Sequence, residues 1–303
     1  MDIRPEERTQ RWQFGEIAIT CVVEAQTDGI PPEFFFPEAT GEAVARHAWV
    51  VPTYADERGR IGMRVQTIVI DTPTRRVLVD PCVGNAKTLS LPFWNDQRFP
   101  LLDRMHDAGI EPSSIDLVVH THLHEDHVGW DTHLVDGRWT PTFVNARHLY
   151  VREALDALRS SARPDGEHTL RESIDPVFEH GLAELVADPV DQPLDLGEGL
   201  RLISTPGHMT AHVSLTVDPS QSDERILVTG DFVHHPVQLS EPQWAEIADV
   251  DVELARATRR RMFADAAERQ LFVIGTHFPT APAGRVVADG EVWRFEPDRS
   301  SAG

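Results

Sequence analysis

The chain has a single lysine, few cysteines and no long apolar run, and each shortage excludes a class of protein. Lys87 is the only lysine, and 28 basic residues stand against 49 acidic ones, for a formal net charge of −21. Such an acidic chain is a poor partner for nucleic acid or for an anionic membrane surface. Cys21 and Cys82 are too few for a disulfide framework. No apolar run approaches the ~20 residues that a membrane-spanning helix needs.

The N-terminal residues 1–8 contain both acidic and basic side chains, unlike the apolar centre of a secretory signal peptide. We therefore expect a reduced, cytoplasmic compartment. The 303 residues, 41% of them hydrophobic, are enough for one large domain. The motifs described below run from residue 122 to residue 277. We therefore predict a single domain over residues 1–303, with residues 1–60 as an N-terminal extension.

Metal-binding side chains are concentrated directly after the apolar residues 115–119. His122, His124, Asp126 and His127 fall within six positions. The apolar run predicts a buried strand, so these donors lie in the loop where the strand ends. Imidazole and carboxylate groups suit zinc, iron or manganese. A solvated polar loop is the alternative, but the density of donors favours a metal site.

Three more potential ligands occur later in the chain, and each follows an apolar run. They are His208 in Thr-Pro-Gly-His, Asp231 in Thr-Gly-Asp and His277 in Gly-Thr-His. Strands that end in such side chains are expected to bring them to one edge of a sheet system, by analogy with open α/β folds. The sequence therefore predicts one metal centre rather than separate polar loops.

With these motifs in this order, the chain resembles the metallo-β-lactamase superfamily, whose His-x-His-x-Asp-His signature matches residues 122–127 in full. The resemblance covers most of the chain. It implies an α/β fold, a four-layer αββα sandwich of two mixed β-sheets. Composition alone indicates only a globular protein with both helices and strands.

The resemblance also implies two divalent metal ions. Zinc is expected, and iron, manganese and cobalt accept the same ligands. The implied ligands are His122, His124 and His208 for one ion and Asp126, His127 and His277 for the other, with Asp231 as the bridge. Asp126 and Asp231 are thereby predicted to be catalytic as well as ligating. Asp80 is expected to orient an imidazole from behind, and His212 to pack or form a hydrogen bond rather than to ligate.

The activity that the resemblance implies is hydrolysis by a hydroxide shared between the two ions. We predict an apolar or aromatic ester, a lactone or a phosphotriester as the small-molecule substrate. Quorum-quenching lactonases of acyl-homoserine type are the alternative, but they place a tyrosine three residues after the bridging aspartate. This chain has His234 there, similar to methyl-parathion-hydrolase-like enzymes. We predict that His234 protonates a leaving group or contacts substrate, with an ordinary loop histidine as the alternative.

Aromatic residues offer candidates for binding surfaces. Trp94, Trp130 and Trp244 are candidates for an apolar substrate pocket, although tryptophans are more often simply buried. Residues 30–37, an aromatic stretch between prolines, either pack over the core or form a lid, a pocket wall or a subunit contact. A homodimer is predicted from this stretch and from the resemblance. Two other classes of function stay open: a di-iron redox protein, and a non-catalytic metal-binding or assembly subunit.

Local patterns predict further elements and surface residues. Residues 145–160 are expected to form a helix, and residues 284–296 a hairpin that turns at Asp289-Gly290. Asp251 is the candidate N-cap of an amphipathic helix. His148 is expected at the surface, and so are the arginines of residues 259–261, because a charged helix face explains them.

Overall fold

The structure, a computed structural model, describes residues 9–90, 94–95, 97–161 and 164–298. The strands are β1 (Thr9–Phe14), β2 (Ile17–Ile30), β3 (Ile61–Asp71), β4 (Arg76–Val79), β5 (Leu117–Val119), β6 (Thr132–Val135), β7 (Arg138–Pro141), β8 (Arg147–Val151), β9 (Ala183–Val186), β10 (Leu194–Gly197), β11 (Leu200–Ser204), β12 (Val213–Val217), β13 (Ile226–Val228), β14 (Phe272–Ile274), β15 (Ala283–Asp289) and β16 (Val292–Pro297). The α-helices are α1 (Gly41–Ala45), α2 (Leu101–Asp107), α3 (Glu125–Val128), α4 (Arg152–Ser160), α5 (Pro164–Thr169), α6 (Asp175–Glu179) and α7 (Val252–Glu268). Within the described ranges, no helix is long and apolar enough to cross a membrane.

Two large mixed sheets contain most of these strands. The strand order is β1-β2-β3-β4-β5-β8-β9 in one sheet and β10-β11-β12-β13-β14-β15-β16 in the other, and β6 pairs with β7 separately. Strands β4, β5, β8 and β9 pair in parallel, as do β13 and β14. Strands β5, β13 and β14, which have parallel partners and precede predicted ligands, are buried along their whole length, which explains their uninterrupted apolar sequences. The prediction of an α/β fold with two mixed sheets is confirmed.

The described chain divides into two compact units. The first unit contains residues 9–25 and 65–188, and the second unit contains residues 26–64 and 189–298. The chain passes from one unit to the other within β2 and within β3. The single domain over residues 1–303 stays a prediction.

Each unit has its own hydrophobic core. Val118 and Phe143 are fully buried in the first unit, and Phe36 is fully buried in the second. Burying such a side chain stabilises the folded state by ~1.5–3 kcal/mol relative to leaving it exposed to water. Phe36 belongs to the aromatic stretch of residues 30–37 and lies against Trp244 with ring centroids 6.4 Å apart, whereas Phe34 is 44% exposed. The stretch therefore packs over the core through Phe36.

Local signals predicted some element ends correctly and failed at one strand. Strands β15 and β16 form the hairpin that turns at Asp289-Gly290, and the Asp251 side chain accepts the Leu254 N–H at the start of α7. The predicted helix over residues 145–160 is wrong in its first half, which is β8. This strand pairs in parallel with β5 and β9, and such long-range pairing overrides local propensity.

Candidate metal centre

The first unit brings its four predicted ligands into one cluster, in the loop after β5 and on the short helix α3. His122 and His127 are each 1% exposed, and their ring centroids lie 4.0 Å apart. His122 Nε2 lies 3.0 Å from His124 Nδ1. Asp126 Oδ2 lies 3.6 Å from His127 Nε2. The spacing of the motif along the chain thus becomes a compact group of nitrogen and oxygen donors.

Asp80 supports this cluster from the end of β4. Its Oδ1 accepts the Thr121 N–H at 2.8 Å, and its Oδ2 accepts the Thr121 hydroxyl at 2.7 Å. Oδ2 also lies 3.0 Å from His127 Nδ1. A carboxylate at this distance favours the proton on Nδ1 and so leaves the lone pair of this imidazole on Nε2. Asp80 therefore holds the backbone where the motif begins and lies behind one proposed ligand.

A second buried carboxylate, Glu24, holds the loop that follows β4. It accepts the N–H groups of Val83 at 2.8 Å and Gly84 at 3.1 Å, and the indole N–H of Trp130 at 2.5 Å. Burial raises the pKa of Glu24 to about 7, against the effect of these hydrogen bonds. The loop lies so close to Gly129 that a Cβ there would be 1.7 Å from the Val83 carbonyl oxygen. Only glycine therefore fits immediately after α3.

In the second unit, one carboxylate oxygen gathers three imidazoles. Asp231 Oδ2 lies 3.1 Å from His277 Nε2, 3.1 Å from His234 Nε2 and 3.8 Å from His208 Nε2. None of these four described residues is more than 5% exposed. His208, Asp231 and His277 follow β11, β13 and β14 respectively. The ends of these strands thus bring the second unit's three predicted ligands together, and His234 with them.

Hydrogen bonds fix the orientation of this group. His277 Nδ1 lies 2.7 Å from the Arg64 carbonyl oxygen, so its Nε2 is the nitrogen left for a ligand. His212 Nε2 accepts the Asp231 N–H at 2.8 Å, and its Nδ1 lies 2.8 Å from Thr205 Oγ1. Both nitrogens of His212 are used in this way, and the residue holds the backbone of Asp231.

The sequence did not predict which residues hold the imidazole of His208. Its Nδ1 lies 3.0 Å from Asp249 Oδ1, and Asp249 Oδ2 accepts from Arg259 Nη2 at 3.3 Å. Burial by itself would raise the pKa of Asp249. The hydrogen bond with His208 and the charges of His208 and Arg259 outweigh burial and hold this pKa below its usual value. Glu246 Oε2 lies 3.9 Å from His208 Nδ1, and burial raises the pKa of Glu246 to about 7.

The surface assignment of residues 259–261 is wrong for Arg259, which is 0% exposed. The buried residues of α7 recur at three- and four-residue spacing: Ala255, Thr258, Arg259, Met262, Phe263 and Ala266. This is the spacing of the apolar face of a helix. The position of Arg259 on that face is the sequence signal that could have identified it as buried.

The donor chemistry of both clusters fits divalent metal ions. His122 Nε2 and His124 Nδ1 lie 3.0 Å apart, and two imidazole lone pairs approach so closely only with a proton or a cation between them. In the second unit the Nδ1 atoms of His208 and His277 are both engaged by oxygen, so each ring presents its Nε2 lone pair. Imidazole and carboxylate donors together suit zinc, iron, manganese or cobalt.

The candidate pocket tryptophans contact the cores. Trp130 is 4% and Trp244 is 6% exposed, and Trp94 packs, partly buried, against the core of the first unit. Trp130 and Trp244 therefore belong to the hydrophobic cores rather than to an open pocket wall. Trp130 is tied to the loop after β4 by its indole hydrogen bond to Glu24 and by its backbone N–H, which donates to the Pro81 carbonyl at 2.7 Å.

His148, which was expected at the surface, is 0% exposed on β8. Its Nδ1 lies 2.8 Å from Asp131, which also lies 2.9 Å from His120 Nε2 and accepts the Tyr150 hydroxyl at 2.8 Å. Burial opposes the ionisation of Asp131, yet the charges of the two histidines hold its pKa far below its usual value. The carboxylate is fully engaged in hydrogen bonds. We therefore explain the cluster as a buried ion-pair network that ties β8 to the loop after α3.

Comparison with known families agrees with this description. The family model of the metallo-beta-lactamase superfamily matches residues 60–275, and the chain belongs to this superfamily. A metal-dependent hydrolase is the class of protein that this membership supports.

Curated relatives are similar over part of their length. The chain is 31% identical to the "Probable metallo-hydrolase YflN" of Bacillus subtilis (strain 168) over 121 residues, which are 38% of this chain and 44% of that protein. It is 27% identical to "Metallo-beta-lactamase domain-containing protein 1" of Rattus norvegicus over 163 residues, 54% of this chain and 52% of that protein. The chain thus spans about half the length of the curated relatives it matches.

Solved structures show the same fold over nearly the whole chain. The hydrolase AbOPH, described as in the beta lactamase superfamily, matches with a TM-score of 0.78 and 21% identity over 96% of this chain and 97% of that one. AidC, described as a dizinc quorum-quenching lactonase, matches with a TM-score of 0.77 and 16% identity over 96% and 98%. At these identities the likeness establishes the fold.

Proposed function

We propose that this protein is a dinuclear metal-dependent hydrolase of an apolar or aromatic ester, a lactone or a phosphotriester. The observation that carries the proposal is the gathering of imidazole Nε2 atoms around Asp231 Oδ2, within 3.1 Å for His277 and His234. The proposed metal ligands are the seven donors named from the sequence: His122, His124, Asp126, His127, His208, Asp231 and His277.

The residues of the chain have distinct proposed roles. When bound, two divalent ions at such donors would polarise the reacting group as Lewis acids and would lower the pKa of bound water toward ~7. Asp249 orients the imidazole of His208 by accepting at Nδ1, and the Asp80 carboxylate, 3.0 Å from His127 Nδ1, is proposed to orient that ring. His234 is parallel to His277, with ring centroids 5.7 Å apart and an interplanar angle of 6°. Its Nε2 lies 3.1 Å from Asp231 Oδ2, beside the proposed ligands, and we propose that His234 protonates a leaving group or contacts substrate.

Charge favours a substrate without net negative charge. The chain carries a formal net charge of −21, from 49 acidic against 28 basic residues. These charges repel an anionic substrate such as a glutathione thioester. Esters, lactones and phosphotriesters with apolar groups have no such charge, and we propose these classes for that reason.

Lactone hydrolysis is the second candidate within this proposal. It is favoured by the similarity in fold to AidC, whose structure is described as a complex with the product N-hexanoyl-L-homoserine. Against it stands His234, at the position where the resembled lactonases have a tyrosine. The choice among the three substrate classes is therefore left to a direct assay.

The test is a panel of three substrates: an acyl-homoserine lactone, a nitrophenyl ester and a phosphotriester. We expect one class to be hydrolysed by metal-loaded protein, and the activity to be lost on chelation and in His122→Ala. The matched control is His106→Ala, because the His106 side chain is 72% exposed and lies outside both clusters. Hydrolysis that persists in His122→Ala or after chelation contradicts the proposal.

A further inference from the structure

One buried cation of the second unit has no role in the mechanism proposed above. Arg259 directs its guanidinium to four oxygen atoms. Its Nε donates to the carbonyl of Phe232 at 3.0 Å, and its Nη1 to the carbonyls of Pro242 at 3.2 Å and Trp244 at 3.0 Å. Its Nη2 donates to Asp249 Oδ2 at 3.3 Å. The planar guanidinium has five N–H donors that point in different directions, so it can bond three carbonyls and a carboxylate at once.

The partners of this guanidinium lie beside two of the proposed metal ligands. Phe232 directly follows Asp231, so one hydrogen bond holds the peptide next to that carboxylate. Asp249 Oδ1 lies 3.0 Å from His208 Nδ1. The next residue, Val250, donates its N–H to the His208 carbonyl at 3.1 Å. Both the ring and the backbone of His208 are therefore held by a segment that the guanidinium anchors.

The Asp249 contact determines which nitrogen of His208 carries the proton. A carboxylate accepts, so Nδ1 carries the hydrogen, and Nε2, 3.8 Å from Asp231 Oδ2, keeps its lone pair. A carboxylate behind a ligating imidazole also fixes the plane of the ring. The side chains of Asp249 and Arg259 are both 0% exposed. Without the guanidinium, the carboxylate would be a buried and uncompensated charge.

We propose that Arg259 is a positioning residue for metal binding. Through Asp249 it holds His208 as the Nδ1–H tautomer, and through the Phe232 carbonyl it fixes the turn that carries Asp231. The inference rests on the proposed function only in taking His208 and Asp231 as metal ligands. Lysine is a poor substitute, because one ammonium group cannot reproduce the geometry of the guanidinium.

The experiment compares Arg259→Met, Arg259→Lys and Asp249→Asn with the control Arg260→Met, whose side chain is exposed on the same helix. Two readouts require no substrate. The first is zinc affinity, measured by competition with a chromophoric chelator. The second is the tautomer of His208 in the metal-free protein, measured by long-range ¹H–¹⁵N NMR and assigned with His208→Gln.

We expect zinc affinity to fall ~10–100-fold in Arg259→Met, the usual effect of losing an outer partner of a ligand. The His208 signal should change from the Nδ1–H form to a mixture of tautomers. Arg259→Lys should also bind zinc more weakly than the wild type, and Arg260→Met should be unchanged in both readouts. The double variant Arg259→Met/Asp249→Asn should bind zinc no more weakly than the worse single variant, because the loss in Asp249→Asn, that of the Asp249 contact to His208, is already part of the loss in Arg259→Met.

Wild-type zinc affinity in Arg259→Met, an unchanged His208 tautomer, or fully additive losses in the double variant would overturn the positioning role. If Arg259→Met does not fold, as judged by circular dichroism, Arg259→Lys and Asp249→Asn decide by the same readouts. A wild-type protein that binds zinc but hydrolyses none of the three substrates would overturn the proposed function alone. The inference on Arg259 would stand.

Discussion

The two units carry their proposed ligands in different ways. In the first unit four donors lie within six positions after β5, and their carboxylate support, Asp80, also bonds the residue that begins the motif, Thr121. In the second unit three donors follow three different strands, and the carboxylate behind His208 lies 41 residues further along the chain. A local motif therefore specifies one cluster, and tertiary packing assembles the other.

The buried cations of the two units differ as well. Lys87 in the first unit donates to Thr132 Oγ1 at 2.6 Å and to the Glu172 carbonyl at 2.7 Å, and burial lowers its pKa to about 7. Arg259 in the second unit faces a carboxylate and three carbonyls. Lysine can lose its charge when buried, whereas arginine cannot. A constant charge behind a metal ligand thus requires arginine, and the first unit has no comparable cation among the contacts of Asp80 described above.

The largest expected effect comes from removing the centre of the second unit's cluster. Asp231→Ala should lower kcat/KM at least ~1,000-fold, because metal ions supply several kcal/mol of transition-state stabilisation. The measurement is kcat/KM on the best substrate, with metal content determined on the same sample. Asp289→Ala, at an exposed turn, is the control. A variant Asp231→Ala with wild-type kcat/KM would remove this residue from the proposed mechanism.

The next effect concerns the first unit's local support. Asp80→Asn should lower zinc affinity ~10–100-fold, because its carboxylate orients His127. Thr121→Val should have a smaller effect: it removes the hydroxyl contacts to Asp80 Oδ2 and His122 Nδ1, but leaves the Asp80 carboxylate 3.0 Å from His127 Nδ1. Chelator competition on both variants provides the comparison. Equal losses would mean that the contacts of the Thr121 hydroxyl, and not the Asp80 carboxylate beside His127, carry the effect.

Glu24 should affect stability more than turnover. Its pKa is about 7 in the folded protein and near 4.5 when unfolded, so the folded state binds more protons between these values. Stability of the metal-free protein should therefore fall as pH rises from 4.5 to 7. Glu24→Gln should flatten this dependence in urea unfolding followed between pH 5 and pH 8. An unchanged slope in the variant would mean that another group is responsible.

Substitution of Lys87 should have the smallest effect on activity, and the titration of its side chain should be the simplest to follow by NMR. As the only lysine it should give one side-chain resonance in lysine-labelled protein, with a midpoint near pH 7 instead of 10.5. The unfolded chain binds the extra proton between these values, so stability should rise with pH through this window. Lys87→Met should remove that rise and leave turnover unchanged. A midpoint near 10 would refute the effect of burial on this group.

The sequence predicted the mixed sheets, the hairpin at Asp289-Gly290 and the cap at Asp251, because each has a local or family signal. It did not predict β8, whose pairing with β5 and β9 has no local pattern, nor the burial of His148 on that strand. The link between His208 and Asp249 has no local pattern either, since the two residues lie 41 positions apart in the sequence. Arg259 was detectable in part, because its spacing on α7 matches the buried face of that helix.

The central claim is that the donors of both units serve metal-dependent hydrolysis. The most direct test is elemental analysis of the purified protein, made on the same sample that is assayed against the lactone, the nitrophenyl ester and the phosphotriester. Two metal ions per chain, with turnover of one substrate class that chelation abolishes, is the predicted result. One ion or none per chain, with no turnover after metal is added, would contradict it.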